Sequence, residues 1–294
     1  MTPNGILAAA VTPRRNLIID IAATSDLIAF LASKGVAGAV LFGSTGEFVH
    51  FDLADRARLV RELTKRHKLP ILVNISHSTL DGAIELARRA LADGAAAAVA
   101  MPPYYFHYTQ AQVREFYFRL GDAVDGPLSL YNIPLFTTKL ELATARGLLS
   151  TGRFTALKDS SGDNSYIEGL LPNLKPDVKL YAGNDSTYRH LKTLGASGAV
   201  SGVASCAPEL MVTLDRAISS GDQPLADSAE QLLKEFLAWF VQFPIPHAIS
   251  QALYVRCGFR SNSACPLDPD TAVNLLKFRE WCRDWFLRVE DLCK

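Results

Sequence analysis

The chain has few cysteines, no excess of either charge and no long apolar run, and each shortage excludes a class of protein. Cysteine occurs five times in 294 residues, as Cys206, Cys257, Cys265, Cys282 and Cys293. The number is odd and no two are spaced C-x-x-C, so neither a disulfide framework nor a zinc site is indicated. Lys and Arg total 30, and so do Asp and Glu. A nucleic-acid or anionic-membrane surface needs a basic excess that this balance does not supply. No apolar stretch reaches transmembrane length. The opening "MTPNGILAAAVTPRRN" has no basic segment ahead of its apolar run, and Thr12 and Pro13 end that run early, unlike a secretory signal. A reducing cytoplasm is the simplest compartment. The six histidines form no H-x-x-x-H pair, which leaves a His-based metal site or a His-centred triad without support.

What the sequence does have is apolar residues, 49% of the total, enough for a large core. They gather in short runs: "GILAAAV", "AGAVLFG", "LPILVNI", "AAAAVAMP", "PLSLYNIP", "FTALKDS", "VKLYAG" and "GAVSGVA". Each is nearly continuous rather than alternating, as parallel strands covered on both faces require. Amphipathic stretches lie between them. "FDLADRARLVRELTKRH" begins at a candidate N-cap, Asp52, and ends basic, and "TLDGAIELARRALADG" ends at Gly94, a suitable C′ residue. Eight strands, each followed by a helix, close naturally into a (β/α)8 TIM barrel. A doubly wound open sheet is the competing α/β architecture. It loses ground because no G-x-G-x-x-G follows the first strand and no phosphate-loop motif occurs anywhere. Strand signals stop after about Ser220 and helical patterns follow. The expected division is a barrel over residues 1–220 and a C-terminal helical subdomain over 221–294.

In a barrel, active-site residues sit at the C-terminal ends of the strands and in the loops just beyond. The unusual residues of this chain fall there. "GSTGE" brings Ser44, Thr45 and Glu47; "MPPYYF" brings Tyr104 and Tyr105; "YNIP" brings Tyr131 and Asn132. "LKDSSGD" brings Lys158, "AGND" brings Gly183 and Asp185, and the last strand brings Gly202 and Ser205. Each has a bland reading when taken singly. "GSTGE" is then a strand-to-helix turn with a hydroxyl cap, Tyr131 a core tyrosine, Asp185 a helix cap, and Lys158 a side chain that snorkels to water. Together, a lysine, a tyrosine, paired hydroxyls and a glycine-lined nest are what Schiff-base carbonyl chemistry requires. A free lysine titrates near 10.4, so only about one in a few thousand is a neutral nucleophile at pH 7. Apolar surroundings disfavour an ammonium and favour the nucleophile, which is a reason to end a buried strand in lysine.

"GSTGE", "YNIP", "LKDSSGD" and "AGND", in that order on successive strands, resemble the dihydrodipicolinate synthase and N-acetylneuraminate lyase family of class I, pyruvate-dependent aldolases. The resemblance runs from about Gly5 to Ser205 and weakens beyond, although "FPIPHAISQAL" is still similar to the family's proline-rich helix start. It implies that Lys158 is the Schiff-base lysine and Tyr131 the proton shuttle. It implies that Ser44 and Thr45 hold the substrate carboxylate and relay to the tyrosine. Tyr105 is similar to a tyrosine that in many members reaches a neighbouring subunit's site, and Gly183 and Val200 match positions lining the pocket. The family implies a tetramer built from dimers, and catalysis with no metal and no organic cofactor. One departure bears on the substrate. Dihydrodipicolinate synthases carry an arginine two residues after the "YNxP" proline, where this chain has Phe136. A phenylalanine cannot hold a carboxylate as a guanidinium does. Ser44-Thr45, "YNIP" and Asp185 resemble the sugar-acid lyases more, Asp185 being able to bind a hydroxyl. Aromatic-aldehyde hydratase-aldolases use the same scaffold. The expected reaction is therefore cleavage or formation of a 2-oxo acid with pyruvate as product or donor, on a sugar-acid or apolar-aldehyde substrate. The alternatives are a dihydrodipicolinate synthase using pyruvate and aspartate semialdehyde, and a non-catalytic barrel that binds a 2-oxo acid.

Overall fold

The eight apolar runs become eight strands that are buried almost throughout. In this computed structural model, which describes residues 2–16, 18–262, 264 and 266–294, they are β1 (Gly5–Ala9), β2 (Gly38–Leu41), β3 (Ile71–Asn74) and β4 (Ala97–Ala100). The set continues with β5 (Leu128–Asn132), β6 (Phe154–Asp159), β7 (Lys179–Ala182) and β8 (Gly198–Ser201). Every neighbouring pair is parallel, and β8 returns to β1 to close the barrel. Closure leaves no edge strand, and helices cover the outer face. The (β/α)8 barrel expected from the sequence is the observed fold.

Local chemistry sets the helix ends. The Asp52 side chain accepts the Asp55 N–H to start one helix (Leu53–Arg66), and Lys65 and Arg66 close its last turn. The next helix (Leu80–Ala92) is capped by Thr79 and stops at Gly94, whose φ of 95° lies in the left-handed region. One feature has no sequence signal. Arg14–Arg15 and Ile18–Ile19 pair as a two-stranded antiparallel hairpin between β1 and the first helix, too short for any periodicity to show.

The barrel helices are α1 (Ile21–Ser33), α2 (Leu53–Arg66), α3 (Leu80–Ala92), α4 (Gln110–Ala123), α5 (Leu142–Ser150), α6 (Asn164–Leu170), α7 (Tyr188–Thr193) and α8 (Pro208–Ser220), and among the described residues three helices follow: α9 (Gln223–Phe240), α10 (His247–Cys257) and α11 (Pro269–Leu292). Phe236, Trp239, Phe278, Trp281 and Trp285 interlock between α9 and α11 at centroid distances of 5.0–6.5 Å. The Trp285 indole N–H donates to the Leu232 carbonyl at 3.0 Å, so the ring is buried without an unmet donor. Cys206, Cys257, Cys282 and Cys293 are free thiols; Cys265 lies outside the described residues. Among the described residues, no helix is long and apolar enough to cross a membrane.

Candidate active site

The parallel register puts the two reactive candidates side by side. Tyr131 on β5 is the direct partner of Lys158 on β6, and equivalent positions on adjacent strands point to the same face. Both are buried, at 2% and 6% exposure. Lys158 Nζ donates to the Tyr131 hydroxyl at 3.1 Å and lies 4.1 Å from the ring centroid. The Ser44 hydroxyl is 3.5 Å from the same phenol oxygen. Burial pushes the Tyr131 phenol up, but the positive charge at Lys158 and hydrogen bonds with Ser44, Lys158 and Ser160 outweigh it, so the phenol ionises below its ordinary range.

The next residues on the same strands face outward and hold this pair in place. Asn132 donates to the Asp159 carboxylate at 2.6 Å and accepts the Leu140 N–H at 2.9 Å. Asp159 also accepts from the Ser161 hydroxyl at 2.7 Å. Burial pushes the Asp159 carboxyl up, and the Ser161 and Asn132 contacts pull it back only in part. A buried polar group must be satisfied. The Asn132–Asp159 link therefore pins β5 to β6 immediately behind Tyr131 and Lys158.

Gly183 shows why the rim carries glycine. A β-carbon there would lie 2.2 Å from Ser160 Oγ, 2.7 Å from Lys158 Cε and 2.8 Å from the Asp159 carbonyl oxygen. The lysine stem thus occupies the space that any larger residue would need. The "GSTGE" turn is strained as well as tight. Phe42, just before it, and Glu47, its last residue, have φ of 58° and 52°, a region that costs non-glycine residues about 1–3 kcal/mol each. Gly46 is fixed by close approach to the Phe42 and Ala10 backbones. Glu47 pairs with the buried Arg14 at 3.6 Å.

A cavity of about 310 Å³ opens above these groups, within the size range of small-molecule sites. Lys158, Tyr131, Ser44 and Thr45 form its floor, with Ser160, Gly183, Asp185 and Val200 beside them. Phe136 stands at one side, and Leu237, Phe240, Val241 and Ile245 from the C-terminal helices form an apolar wall. Burial pushes the Asp185 carboxyl up; one oxygen accepts the Val203 N–H at 3.2 Å and the other is buried without a partner among the described residues. Of the residues singled out in the sequence, Lys158, Tyr131, Ser44, Thr45, Gly183, Asp185, Val200 and Phe136 converge here. Tyr105 does not. It is 88% exposed, has φ of 80°, and lines an adjoining cavity of about 370 Å³ together with Tyr104, Phe48 and Phe136. Lys139, three residues after Phe136 in the chain, pairs with Asp163 at 3.1 Å and lines neither cavity. Sequence reasoning missed Ser160 and the apolar wall. Ser160 had a signal, its position in "LKDSSGD" two residues beyond the lysine; the wall had none. Among the described residues, no cluster of three or more His, Cys, Asp or Glu side chains is grouped to hold a metal ion.

A closed parallel barrel with a buried lysine–tyrosine pair at the C-terminal ends of its strands carries these side chains where barrel enzymes keep their active sites, and the family match makes the chain one of the class I lyases and aldolases. The chain belongs to the dihydrodipicolinate synthetase family, whose model matches residues 2–278. A 4-hydroxy-tetrahydrodipicolinate synthase of Nitrosospira multiformis is 30% identical over 274 residues, 90% of each chain. The crystal structure of the dihydrodipicolinate synthase from Aquifex aeolicus superposes with a TM-score of 0.91 at 24% identity, covering 97% of this chain and 99% of that one. The 2-keto 3-deoxygluconate aldolase from Picrophilus torridus is 26% identical with a TM-score of 0.83, covering 90% of this chain and 99% of that one.

Proposed function

We propose that this enzyme cleaves or condenses a 2-oxo acid through a Schiff base on Lys158, with pyruvate as product or donor. The contact between Lys158 Nζ and the Tyr131 hydroxyl, 3.1 Å apart on the cavity floor, carries the reading. The neutral amine attacks the 2-oxo carbon; the oxygen leaves as water and a protonated imine forms. In the cleavage direction the C4 hydroxyl gives up its proton, the C3–C4 bond breaks, and its electron pair moves into the iminium to form an enamine. The aldehyde leaves, C3 takes up a proton, and water releases pyruvate and the amine. Tyr131 is the group that accepts and returns the proton, since its phenol is shifted toward the range where it can do both. Ser44 and Thr45 are suited to hold the carboxylate, being a partly buried and a buried hydroxyl that line the same cavity as the lysine.

For the second substrate, the supported reading is a polyhydroxy or apolar aldehyde. Phe136, half exposed at the cavity side, offers no donor to a carboxylate, while Asp185 and Ser160 offer acceptors to hydroxyls. The likeness to the Picrophilus torridus aldolase is in line with this. The alternative, synthesis from pyruvate and aspartate semialdehyde, draws on the Nitrosospira multiformis relative. A panel of pyruvate with aspartate semialdehyde, glyceraldehyde and benzaldehyde, read by carbon–carbon bond formation, separates the two. Aspartate semialdehyde as best acceptor overturns the Phe136 argument.

In the same reading, residues 221–294 are a subdomain that walls the cavity, and Tyr105 serves a neighbouring subunit in a homotetramer, a dimer of dimers. Tyr105 and Val49, which line the second cavity, are 88% and 59% exposed, and Phe106 and Leu135 are 66% and 74% exposed, apolar surface suited to a partner copy. Sedimentation analysis should give a tetramer, and a monomer at micromolar concentration would refute that part. The compartment that fits is the cytoplasm, which cell fractionation checks.

A further inference from the structure

Outside the two cavities of the barrel mouth, the Arg14–Arg15 hairpin strand faces helices α10 and α11 across a pocket of about 640 Å³. It shares no lining residue with either cavity at the mouth. Four arginines line it, Arg14, Arg15, Arg260 and Arg279, and among the described residues no aspartate or glutamate does. In a chain of 30 basic and 30 acidic residues, that is a local excess of one sign, and like charges held together repel.

Two of the four are partly compensated: Arg14 by Glu47 at 3.6 Å and Arg15 by Asp20 at 3.2 Å. Arg260 and Arg279 have no carboxylate within 4.0 Å among the described residues. Both instead lie over the Tyr254 ring, at 5.9 Å and 4.6 Å, and Arg279 is oriented by Gln251, which accepts its Nε–H at 2.5 Å. Arg14 is 6% exposed, and its Nε and Nη2 have no hydrogen-bond partner among the described residues. Those two nitrogens have almost no accessible surface, so Arg14 contributes its charge to the pocket, and the forks a ligand can reach are those of Arg15, Arg260 and Arg279.

We propose that this pocket binds a small phosphorylated molecule. Guanidinium forks match tetrahedral oxyanions, and several forks around one pocket suit a phosphate, whose terminal oxygens accept from more than one of them. A single carboxylate satisfies only one fork. The Tyr254 face beside the arginines gives the organic part of a phosphate monoester an apolar surface.

The test is calorimetric titration of the full-length enzyme with inorganic phosphate and with glycerol 3-phosphate, at ionic strength held constant with sodium chloride. Saturable binding is expected for both, tighter for the ester. Arg260→Gln/Arg279→Gln should weaken it by about tenfold or more, each lost fork being a charge-assisted contact. Lys158→Ala should bind as the parent does, which separates this site from the Schiff-base cavity. Arg260→Gln alone, an exposed position, should weaken binding about threefold and serves if the double variant does not fold. No saturation above the chloride control, unchanged affinity in the arginine variants, or loss of binding in Lys158→Ala would each overturn the proposal.

Discussion

Replacing Gly183 with alanine tests the link between packing and chemistry. The added β-carbon would meet Ser160 Oγ at 2.2 Å, Lys158 Cε at 2.7 Å and the Asp159 carbonyl oxygen at 2.8 Å. The serine can rotate away. The carbonyl belongs to a hydrogen-bonded strand, accepting the Gly183 N–H at 2.6 Å, and cannot move without disturbing β6. The lysine stem must therefore shift, and with it the amine that now lies 3.1 Å from Tyr131. A misplacement of about 1 Å at a reacting group costs on the order of 10²-fold in rate. Overpacking of this kind costs about 1–3 kcal/mol of stability, which corresponds to a fall in Tm of roughly 2–10 °C for a protein of this size. The assay is steady-state cleavage of the best 2-oxo acid, coupled to pyruvate detection, beside a thermal melt. A loss in kcat that exceeds the loss in stability is expected. A variant with kcat within about threefold of the parent would refute the idea that Gly183 makes room for the lysine.

Tyr131→Phe should keep its packing and lose about 10²–10⁴ in kcat, the range for a missing acid–base group; normal turnover would make Tyr131 a core residue only. Phe136→Arg should raise kcat/KM for aspartate semialdehyde by tenfold or more, an order set by charge-assisted recognition, when measured beside the parent. Asp185→Asn tests the buried carboxyl. Because burial raises its pKa in the fold, ionised Asp185 opposes folding above the unfolded value of about 3.9, and that cost grows as pH rises through the folded value. The variant should therefore melt higher than the parent at neutral pH, with the gap closing toward pH 4 or so. A gap that widened on acidification would refute the direction.

Strand positions were legible because each barrel strand is buried on both faces and so reads as a continuous apolar run, as in "FTALK" and "GAVS". The rim residues were legible because polar groups at the ends of such runs are out of place there. The hairpin at Arg14 was not, since two-residue strands carry no period. Nor was the Asn132–Asp159 link, because only the register of β5 on β6 brings "YN" against "KD". The apolar wall from Leu237 to Ile245 depends on how α9 docks over the barrel mouth, a long-range arrangement with no local pattern. Gly183 stood out as a strand-end glycine, but its reason, the lysine stem beside it, is visible only in three dimensions.

The central claim is that Lys158 forms the covalent intermediate, and reductive trapping tests it most directly. The parent enzyme and Lys158→Ala are each incubated with pyruvate and borohydride, then analysed by intact mass and peptide mapping. The account predicts one reduced pyruvate per chain of the parent, carried on the peptide containing Lys158. It predicts none on Lys158→Ala, which should melt normally and lack turnover. An unmodified parent at millimolar pyruvate, an adduct on another lysine, or activity in Lys158→Ala would contradict it.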